Sequence, residues 1–432
     1  MQFEGVMRFL IKGGNVVLNE RIQKLDVLVE NERITQIGEH LSASNFSSTL
    51  LPLTVLNCEN LFLLPGLVDM HVHLREPGFC YKETLLSGCE AAAAGGFAAV
   101  CCMPNTKPVI DSAELIQKIM TKSEKCCAKV HVVAAITKNL EGAQLVNFTE
   151  LSKAGAVAFS DDGNCLENSF LMEQALLQAK ANNKVIISHC ENTKLSSGGL
   201  LNKGKISEAL KLKGISNESE STTVALHIEL AKKLNCRVHI AHVSTKESIL
   251  AIRKAKQEGV KVTAETCPHY FCLTEDELLS KNANFKINPP LRSETDRIEI
   301  EKAVLDQTID CIATDHAPHS KTEKQNFLTA PCGAIGLETS LACVLTHFFH
   351  TKKLNLLQIV NLMAKKPCEI LNLNFDGIKP GAEANFSIVD LDRLWVVEPE
   401  KFKSKSSNSP FEGKTLKGKV LKTFFKGKLV FS

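Results

Sequence analysis

Short apolar runs alternate along the middle of the chain with segments of helical periodicity. Each run is rich in β-branched or small apolar residues and ends in polar residues, as expected of a strand that is buried on both faces. Eight such runs occur, at residues 61–74, 98–103, 129–136, 156–161, 184–189, 237–243, 261–266 and 309–314. Eight buried strands in succession predict a sheet of parallel strands.

The segments between the runs carry apolar residues at spacings of three and four, which is typical of amphipathic helices. They include residues 83–95, 112–125, 168–182, 219–235, 246–258 and 295–306. Strand and helix alternate through eight rounds, which predicts an α/β fold, a distorted (β/α)₈ TIM barrel. An open doubly wound sheet is the alternative, but the Gly-x-Gly-x-x-Gly fingerprint is missing from its first turn.

Both ends of the chain differ from the middle, because they contain short strand candidates with turn residues between them. At the amino end these are residues 7–11, 16–18, 25–29 and 33–37. At the carboxyl end, after a helical segment at 356–371, they are 384–389, 394–397, 418–424 and 428–431. Neither end can bury a core alone. We therefore predict one small β-sandwich-like domain built from both termini, residues 1–63 and 373–432, beside a barrel of residues 64–372.

Composition narrows the class of protein. The 432 residues carry a net charge of +3 and are 44% hydrophobic, which excludes intrinsic disorder and gives no reason to expect nucleic acid or an anionic membrane as partner. No apolar stretch is long enough to span a bilayer, and no secretory signal is expected, because residues 9–11 are the only apolar run between Arg8 and Lys12. The 16 cysteines form no Cys-x-x-Cys pair, which predicts reduced thiols in a cytoplasmic protein. Residues 401–409, rich in Ser and Lys, predict a solvent-exposed loop.

His and Asp residues collect at the ends of five of the eight predicted strands, where a parallel barrel carries its catalytic groups. They are Asp69, His71, His73, Asp161, Asp162, His189, His242, Asp315, His316 and His319. These residue types bind transition metals as carboxylate or neutral imidazole. His71 and His73 are two residues apart on a strand, so both side chains leave the same face and can chelate one ion. The pattern predicts a metal centre at the mouth of the barrel.

Alternation along a strand separates some candidates from others. His239 lies three residues before His242 and is therefore predicted to face the helices in a packing role. Asp161 and Asp162 point in opposite directions, and the spacing does not decide which of them reaches the barrel axis. His269 lies three residues after the end of the seventh run, and we interpret it as a supporting or structural residue rather than a ligand.

Four sequence blocks together resemble the amidohydrolase superfamily and, within it, the bacterial type I dihydroorotases. They are LPGLVDMHVHLREPG at 64–78, MPNT at 103–106, NPPLR at 288–292 and ATDHAPH at 313–319. The similarity extends over nearly the whole chain, including SPFEG at 409–413 and LKGKV at 416–420. It implies zinc-dependent, reversible hydrolysis of (S)-dihydroorotate to N-carbamoyl-L-aspartate, a step of pyrimidine biosynthesis.

The resemblance implies two zinc ions per chain. The first would be held by His71, His73 and Asp315 and the second by His189 and His242, with Asp162 and a hydroxide bridging them. In hydantoinases, dihydropyrimidinases and many allantoinases a carbamylated lysine bridges the metals at the end of the fourth strand. The corresponding segment here, AVAFSDD at 156–162, has no lysine. This departure favours the type I dihydroorotase pattern.

The resemblance also implies a substrate site. Its residues would be His73, Arg75, Asn105, Asn288 and His319, with backbone groups of Cys332 and Gly333. Arg75 follows the ligand His73 by two residues, and the planar fork of an arginine fits a carboxylate. Two zinc ions, two aspartates and a hydroxide would leave a net positive charge before Arg75 is added, which suits an anionic substrate. Asp315 is expected to be the catalytic acid and base.

Two alternatives stay open at this point. One is another cyclic amidohydrolase, such as an allantoinase or hydantoinase. The other is a non-catalytic barrel that accompanies aspartate carbamoyltransferase. The complete ligand set and Arg75 favour a dihydroorotase. A small-molecule substrate is the expected partner, without nucleic acid or membrane, and the sequence leaves open a homodimer or an association with aspartate carbamoyltransferase.

Overall fold

A computed structural model describes residues 8–46 and 52–432. The strands, in chain order, are β1 (Arg8–Val17), β2 (Ile22–Glu30), β3 (Arg33–Gly38), β4 (Leu53–Asn57), β5 (Phe62–Pro65), β6 (Leu67–Val72), β7 (Phe97–Cys102), β8 (Lys129–Ala134), β9 (Ala156–Phe159), β10 (Ile186–Ser188), β11 (Leu201–Asn202), β12 (Gly214–Ile215), β13 (Val238–Ile240), β14 (Val262–Thr266), β15 (Cys311–Ile312), β16 (Phe386–Val396), β17 (Thr415–Phe425) and β18 (Lys428–Phe431). Met7, the first residue of the predicted strand 7–11, lies outside the described residues.

Thirteen α-helices lie between or after these strands within the described ranges. They are α1 (Leu85–Ala94), α2 (Ala113–Ser123), α3 (Phe148–Ala154), α4 (Ser169–Ala181), α5 (Thr193–Ser196), α6 (Lys205–Leu210), α7 (Glu218–Leu234), α8 (Lys246–Gln257), α9 (Pro268–Cys272), α10 (Glu294–Leu305), α11 (Ser340–Val344), α12 (Leu356–Val360) and α13 (Lys366–Leu371). Each of the six helical segments predicted between the barrel strands is a helix in the structure, and the predicted segment 356–371 contains α12 and α13. Among residues 8–46 and 52–432, no helix has both the length and the apolar character needed to cross a bilayer.

Eight parallel strands form the barrel, in the order β6-β7-β8-β9-β10-β13-β14-β15. The ring closes between β15 and β6 through a bridge that joins Val72 to His316, and the His73 N–H donates to the His316 carbonyl at 2.8 Å. Apolar side chains fill the interior: Met70, Cys101, Met103, Val133, Ala158, Ile187, Ala241, Cys311 and Ala313. The barrel is thus a packed core with its site at the carboxyl ends of the strands.

A second sheet combines strands from both ends of the chain. Its order is β18-β17-β16-β5-β1-β2-β3, with β4 paired to β1. The two ends meet where β16 runs antiparallel to β5. Phe424 links them in the core, because its ring stacks on Phe386 at 4.6 Å and meets the edge of Phe9 at 5.0 Å. The predicted fold class is confirmed, whereas the exact domain limits at 63/64 and 372/373 stay predictions.

The predicted run 61–74 is two strands rather than one. β5 belongs to the terminal sheet and β6 to the barrel, with Gly66 between them. The Gly66 N–H donates to the Asn385 carbonyl at 3.0 Å, and a Cβ on Gly66 would lie 2.4 Å from the Cβ of Ala98. Only a residue without a side chain fits this approach. The terminal sheet therefore joins the barrel at the amino end of β6, away from the strand ends that carry the candidate site.

Segment 401–409 is largely a loop, and Lys401, Lys403 and Lys405 are exposed, but the prediction of solvent exposure is wrong for most of its other polar side chains. Ser404, Ser406 and Asn408 are buried. Ser406 Oγ donates to the Lys82 carbonyl at 2.7 Å, and Asn408 Oδ1 accepts from the His319 N–H at 3.1 Å. Composition could not predict this burial, because the hydrogen-bond partners of these polar side chains are barrel residues that are distant in sequence.

Candidate metal centre

Six residues from five strand ends converge at the mouth of the barrel. They are His71 and His73 from β6 and its end, Asp162 after β9, His189 after β10, His242 after β13 and Asp315 after β15. All six are buried. The ligating atoms of one group (His71, His73, Asp162) lie within 4.8 Å of one another, as do those of a second group (Asp162, His189, His242). The structure therefore brings the six predicted ligands together.

Asp162 is at the centre of this cluster. Its Oδ1 lies 3.2 Å from Nε2 of His71, 3.4 Å from Nε2 of His242 and 3.7 Å from Nδ1 of His189, and its Oδ2 lies 3.4 Å from Nε2 of His73. Oδ1 of Asp315 is 3.1 Å from Nε2 of His73. One carboxylate shared by two sets of imidazoles is the arrangement that a pair of bridged cations needs.

Oxygen atoms outside the cluster orient three of the four imidazoles. Nδ1 of His71 lies 2.7 Å from Oε1 of Glu265, Nδ1 of His73 lies 2.9 Å from Oδ1 of Asn105, and Nε2 of His189 lies 2.9 Å from Oε2 of Glu191. These oxygens only accept, so the ring nitrogen that faces each of them carries the hydrogen. The other nitrogen of each ring directs its lone pair toward Asp162. Such orientation by a second partner is typical of metal-ligating histidines.

Buried polar atoms without a hydrogen-bond partner mark the same place. Nε2 of His71 and Oδ1 of Asp162 are both buried, and neither has a hydrogen bond within the part of the chain that the structure describes. Leaving such an atom unpaired costs about 1–3 kcal/mol, and a cation between them would remove this cost. Imidazole nitrogen and carboxylate oxygen suit zinc and other divalent transition metals. The residues fit the metal that the resemblance implies.

The charges within the cluster keep its two aspartates ionised. Burial alone would raise the pKa of Asp162, but the surrounding imidazoles, His71 foremost, hold that pKa well below its ordinary value. Burial likewise opposes ionisation of Asp315, whose pKa is lowered overall by the neighbouring imidazoles of His73 and His71. Both carboxylates are therefore anionic at neutral pH and available to a cation.

Sequence reasoning missed Glu265 and Glu191. Glu265 lies near the carboxyl end of β14, the seventh run, so the criterion that selected the other strand-end residues applies to it as well. Glu191 follows His189 by two residues, the spacing that places side chains on one face. Its Oε2 also accepts from Nδ2 of Asn288 at 2.9 Å. Glu191 thus connects a predicted ligand to a predicted substrate residue.

His239 does not face the helices, and that prediction is wrong. Its Nδ1 lies 2.8 Å from Oγ1 of Thr263, and its Nε2 lies 3.3 Å from Oε2 of Glu265, beneath His71 in the barrel interior. The cause is the backbone: β13 ends at Ile240, and His242 has a φ of +35°. Because the extended conformation stops before His242, alternation cannot be counted across it.

The structure decides between the two neighbouring aspartates. Asp161 accepts from the N–H groups of Ile136 and Thr137 at 2.7 and 3.0 Å, so it is used within the fold while Asp162 enters the cluster. His269 stands outside both ligand groups. Its ring meets Tyr270 edge-on with centroids 4.2 Å apart, and burial lowers its pKa to about 4.

A cavity of about 220 Å³ opens over the cluster. The predicted site residues in its wall are His73, Arg75, Asn105, Asp162, His189, His242, Asn288, Asp315, His319, Cys332 and Gly333. His71 is fully buried and is not part of this wall. The ligand cluster and the residues predicted to hold substrate thus share one cavity, and their individual roles stay predictions.

Arg75 brings a positive charge into the cavity wall. Its backbone has a φ of +60°, and its Nε donates to the Pro318 carbonyl at 3.2 Å. Nη2 of Arg75 lies 3.2 Å from Nε2 of His319. Burial lowers the pKa of Arg75 to about 10, so the guanidinium remains charged at neutral pH.

Gly333 belongs to a turn that a side chain would obstruct. Its φ is +134°, and a Cβ would lie 2.8 Å from the Cβ of Ala317. The Gly333 N–H donates to the Lys286 carbonyl at 3.0 Å, and the Gly333 carbonyl accepts from Nζ of Lys324 at 2.9 Å. Both of these backbone groups therefore have partners within the chain, and the substrate contact predicted for the backbone of this turn stays a prediction.

Comparison with known proteins identifies the family. A family profile described as "Dihydro-orotase-like" matches residues 60–248. A dihydroorotase from Syntrophus aciditrophicus is 44% identical over 429 residues, which is 98% of this chain and 99% of that protein. The chain belongs to the dihydroorotase family. A dihydroorotase from Staphylococcus epidermidis is 42% identical over 424 residues, 98% of this chain and 99% of that protein.

Solved structures show that this dihydroorotase-family chain has the fold of cyclic amide hydrolases. The L-hydantoinase (dihydropyrimidinase) of Arthrobacter aurescens superposes with a TM-score of 0.86 at 23% identity, over 98% of this chain and 96% of that one. The dihydropyrimidinase of Brevibacillus agri gives a TM-score of 0.83 at 22% identity, over 98% and 95% of the two chains. At this identity the likeness concerns the fold alone.

Proposed function

We propose that this protein is a metal-dependent dihydroorotase that interconverts (S)-dihydroorotate and N-carbamoyl-L-aspartate. The observation that carries the proposal is the position of Asp162, whose oxygens face four imidazoles in two groups. Membership of the dihydroorotase family over almost the full chain supports this substrate class.

We propose zinc as the metal, with two ions per chain. One ion would be held by His71, His73 and Asp315 and the other by His189 and His242, with Asp162 shared between them. Zinc would supply Lewis acidity, which makes water acidic enough to act as a nucleophile near neutral pH and polarises a carbonyl. The fixed orientation of the imidazoles supports this assignment, because no ring has to turn to receive a cation.

Asp315 is the residue that would move the proton. Its carboxylate lies in the cavity wall and is ionised at neutral pH, as described above. The backbone of Asp315 has a φ of +47°, an uncommon conformation for a residue other than glycine and one that is enriched at functional sites. From this position the carboxylate would accept a proton from the attacking water and deliver it to the ring nitrogen that leaves.

The substrate's carboxylate would bind near Arg75. Arg75 and His319 lie side by side in the cavity wall, and a guanidinium forms bidentate hydrogen bonds with a carboxylate. Two divalent cations would offset Asp162 and Asp315 together with Glu191 and Glu265 behind the imidazoles, so that Arg75 would supply the positive charge that attracts an anion. A ring acid such as dihydroorotate suits this charge, whereas a neutral hydantoin has no group for Arg75.

Hydantoinase-like activity is the alternative that the shared fold allows. Residues 156–162 offer no lysine to bridge two metals, and Asp162 lies between the two imidazole groups instead. This difference at the end of β9 favours the dihydroorotase. A non-catalytic role is disfavoured because all six candidate ligands are present and brought together.

Assays in both directions test the proposal. Purified protein would be given dihydroorotate or carbamoyl aspartate and, in parallel, hydantoin, dihydrouracil and allantoin, and its metal content would be measured. We expect turnover of the first pair and two zinc ions per chain. Preferential turnover of a neutral ring would support the hydantoinase alternative. Zinc-loaded protein without ring opening would support the non-catalytic one.

We further propose that the enzyme works in the cytoplasm, which its 16 cysteines support, since all of them are free. A homodimer and an association with aspartate carbamoyltransferase stay predictions. Sedimentation analysis of the protein alone, and of its mixture with that transferase, distinguishes them.

A further inference from the structure

His319 lies between two cationic side chains. Nη2 of Arg75 is 3.2 Å from its Nε2, and Nζ of Lys82 is 3.2 Å from its Nδ1. All three residues are buried, and Lys82 is only 9% exposed. Arg75 and His319 form part of the cavity wall, whereas Lys82 lies behind His319 and does not. Lys82 would therefore influence a bound molecule through His319.

The surroundings of His319 determine which of its ring nitrogens carries the hydrogen. Lys82 and Arg75 are both donors only, so these two contacts by themselves do not decide between the tautomers. The Cys332 carbonyl decides, because it only accepts and lies 2.9 Å from Nε2: the hydrogen is on Nε2, and Nδ1 accepts from Lys82. Burial, followed by the charges of Arg75, Lys82 and Lys324, lowers the pKa of His319 to about 2, so the ring is neutral.

A carboxylate near Nδ1 would favour the other tautomer if Lys82 were absent. Oε2 of Glu323 lies 3.9 Å from Nδ1 of His319, and Oε1 of Glu323 lies 2.9 Å from Nζ of Lys82. Oε2 also accepts from the Ser320 N–H at 3.0 Å, which fixes the carboxylate in place. Without the ammonium group, Glu323 would attract a hydrogen onto Nδ1 and leave a lone pair on Nε2.

We propose that Lys82 is a positioning residue for the carboxylate of the substrate: it holds His319 in the tautomer with the hydrogen on Nε2, so that this N–H, which the Cys332 carbonyl accepts in the absence of substrate, can also be shared with a carboxylate bound by Arg75. This rests on the proposed function, because it names the residue that prepares the anion site for dihydroorotate. Two donors 3.2 Å apart can share one carboxylate oxygen. A lone pair on Nε2 would instead repel that oxygen.

Nitrogen NMR of histidine-labelled protein measures the tautomer without requiring turnover. The His319 signals are assigned by their loss in His319→Gln. In the zinc-loaded parent we expect a protonated Nε2 and an unprotonated Nδ1. In Lys82→Met we expect the hydrogen to move toward Nδ1. The double variant Lys82→Met with Glu323→Gln should return it to Nε2, because the attracting carboxylate is gone.

Steady-state kinetics measures the consequence. Lys82→Met should raise KM for dihydroorotate about tenfold and change kcat less than about twofold, as expected when an interaction of the bound carboxylate is lost equally from ground and transition states. Lys82→Arg should restore both the tautomer and KM, since it also places N–H donors against Nδ1. Lys405→Met is the matched control, because its Nζ donates to the Cys80 carbonyl in the same region without contacting His319.

The proposal is overturned if Lys82→Met keeps the hydrogen on Nε2 with the KM of the parent. It is also overturned if Glu323→Gln alone reproduces the effects of Lys82→Met, since the ion pair and not the contact with His319 would then be responsible. If the parent does not hydrolyse dihydroorotate, the proposed function fails. In that case the NMR spectra and a titration with orotate, a stable ring carboxylate, still decide the role of Lys82.

Discussion

Oε1 of Glu265 lies 2.7 Å from Nδ1 of His71, and both side chains are fully buried. The two residues are 194 positions apart in the chain. Their contact places the hydrogen of His71 on Nδ1 and its lone pair toward Asp162. One hydrogen bond across the barrel thus prepares the ring for a cation.

Glu265→Gln should weaken metal binding about 10- to 100-fold, the range typical of losing a charged partner behind a metal-ligating histidine. The amide still accepts a hydrogen bond but no longer increases the basicity of the ring. Competition with a chelator of known affinity measures the effect. Glu275→Gln is a matched control, because Glu275 is also buried and accepts from Nδ2 of Asn202 at 2.8 Å, away from the cluster. Equal metal affinity of Glu265→Gln and the parent would contradict the role of Glu265.

The adjacent aspartates provide a second comparison. Asp162→Asn should reduce the metal content and abolish turnover, since it removes the charge that both imidazole groups share. Asp161→Asn should keep the metal and lose about 1–3 kcal/mol of unfolding free energy, because it weakens hydrogen bonds to the N–H groups of Ile136 and Thr137. Elemental analysis and chemical denaturation measure the two effects. The assignment fails if Asp161→Asn loses the metal and Asp162→Asn retains it.

Asp315→Asn should retain most of the bound metal and lower kcat about 10²- to 10⁴-fold, the usual contribution of a general acid–base. The substitution preserves shape and removes the group that accepts the proton. Zinc content and orotate affinity are measured beside turnover, so that loss of binding is distinguished from loss of proton transfer. Turnover equal to that of the parent would show that another residue moves the proton.

Glu338 should make stability depend on pH outside the active site. Its carboxylate accepts from the N–H groups of Lys403 and Ser404, and burial raises its pKa from the ordinary 4.5 to about 7. Between these values the folded protein holds a proton that the unfolded chain has released, so the contribution of Glu338 to the free energy of unfolding falls as pH rises.

Glu338→Gln removes this titration. Relative to the parent it should add about 1–3 kcal/mol of unfolding free energy at pH 8 and almost none at pH 5. Denaturant unfolding across this range measures the difference between the two proteins, in which effects common to both cancel. Glu412→Gln, at an exposed residue shortly before β17, is the control substitution. A constant difference across the pH range would exclude titration of Glu338.

Local pattern was sufficient for most of the elements. The predicted helix at 246–258 is α8 (Lys246–Gln257), and the predicted strand at 428–431 is β18. The placement of His and Asp at strand ends was equally informative, because parallel strands in a barrel must bring these ends together. His71, His189 and Asp315 therefore meet as the sequence predicts, although they are far apart in the chain.

Local pattern failed where the backbone leaves regular conformation or where polar groups find distant partners. His239 faces the barrel interior because the extended conformation ends before His242, whose φ is +35°. Ser406 can be buried because the carbonyl of Lys82 accepts a hydrogen bond from its hydroxyl group. Hydrophobic periodicity predicts neither the orientation of His239 nor the burial of Ser406.

The sequence by itself determined the barrel, the terminal β-domain and the residues available for a metal, because periodicity and strand-end position are properties of neighbouring residues. Tertiary structure decided that Asp162 rather than Asp161 enters the cluster, that Glu265 orients His71, and that Lys82 contacts His319. These relationships depend on distances of about 3 Å between side chains on separate elements, since hydrogen bonds act only at that range. Sequence spacing predicts such a distance only within one regular helix or strand, whereas each of these contacts joins two separate parts of the chain.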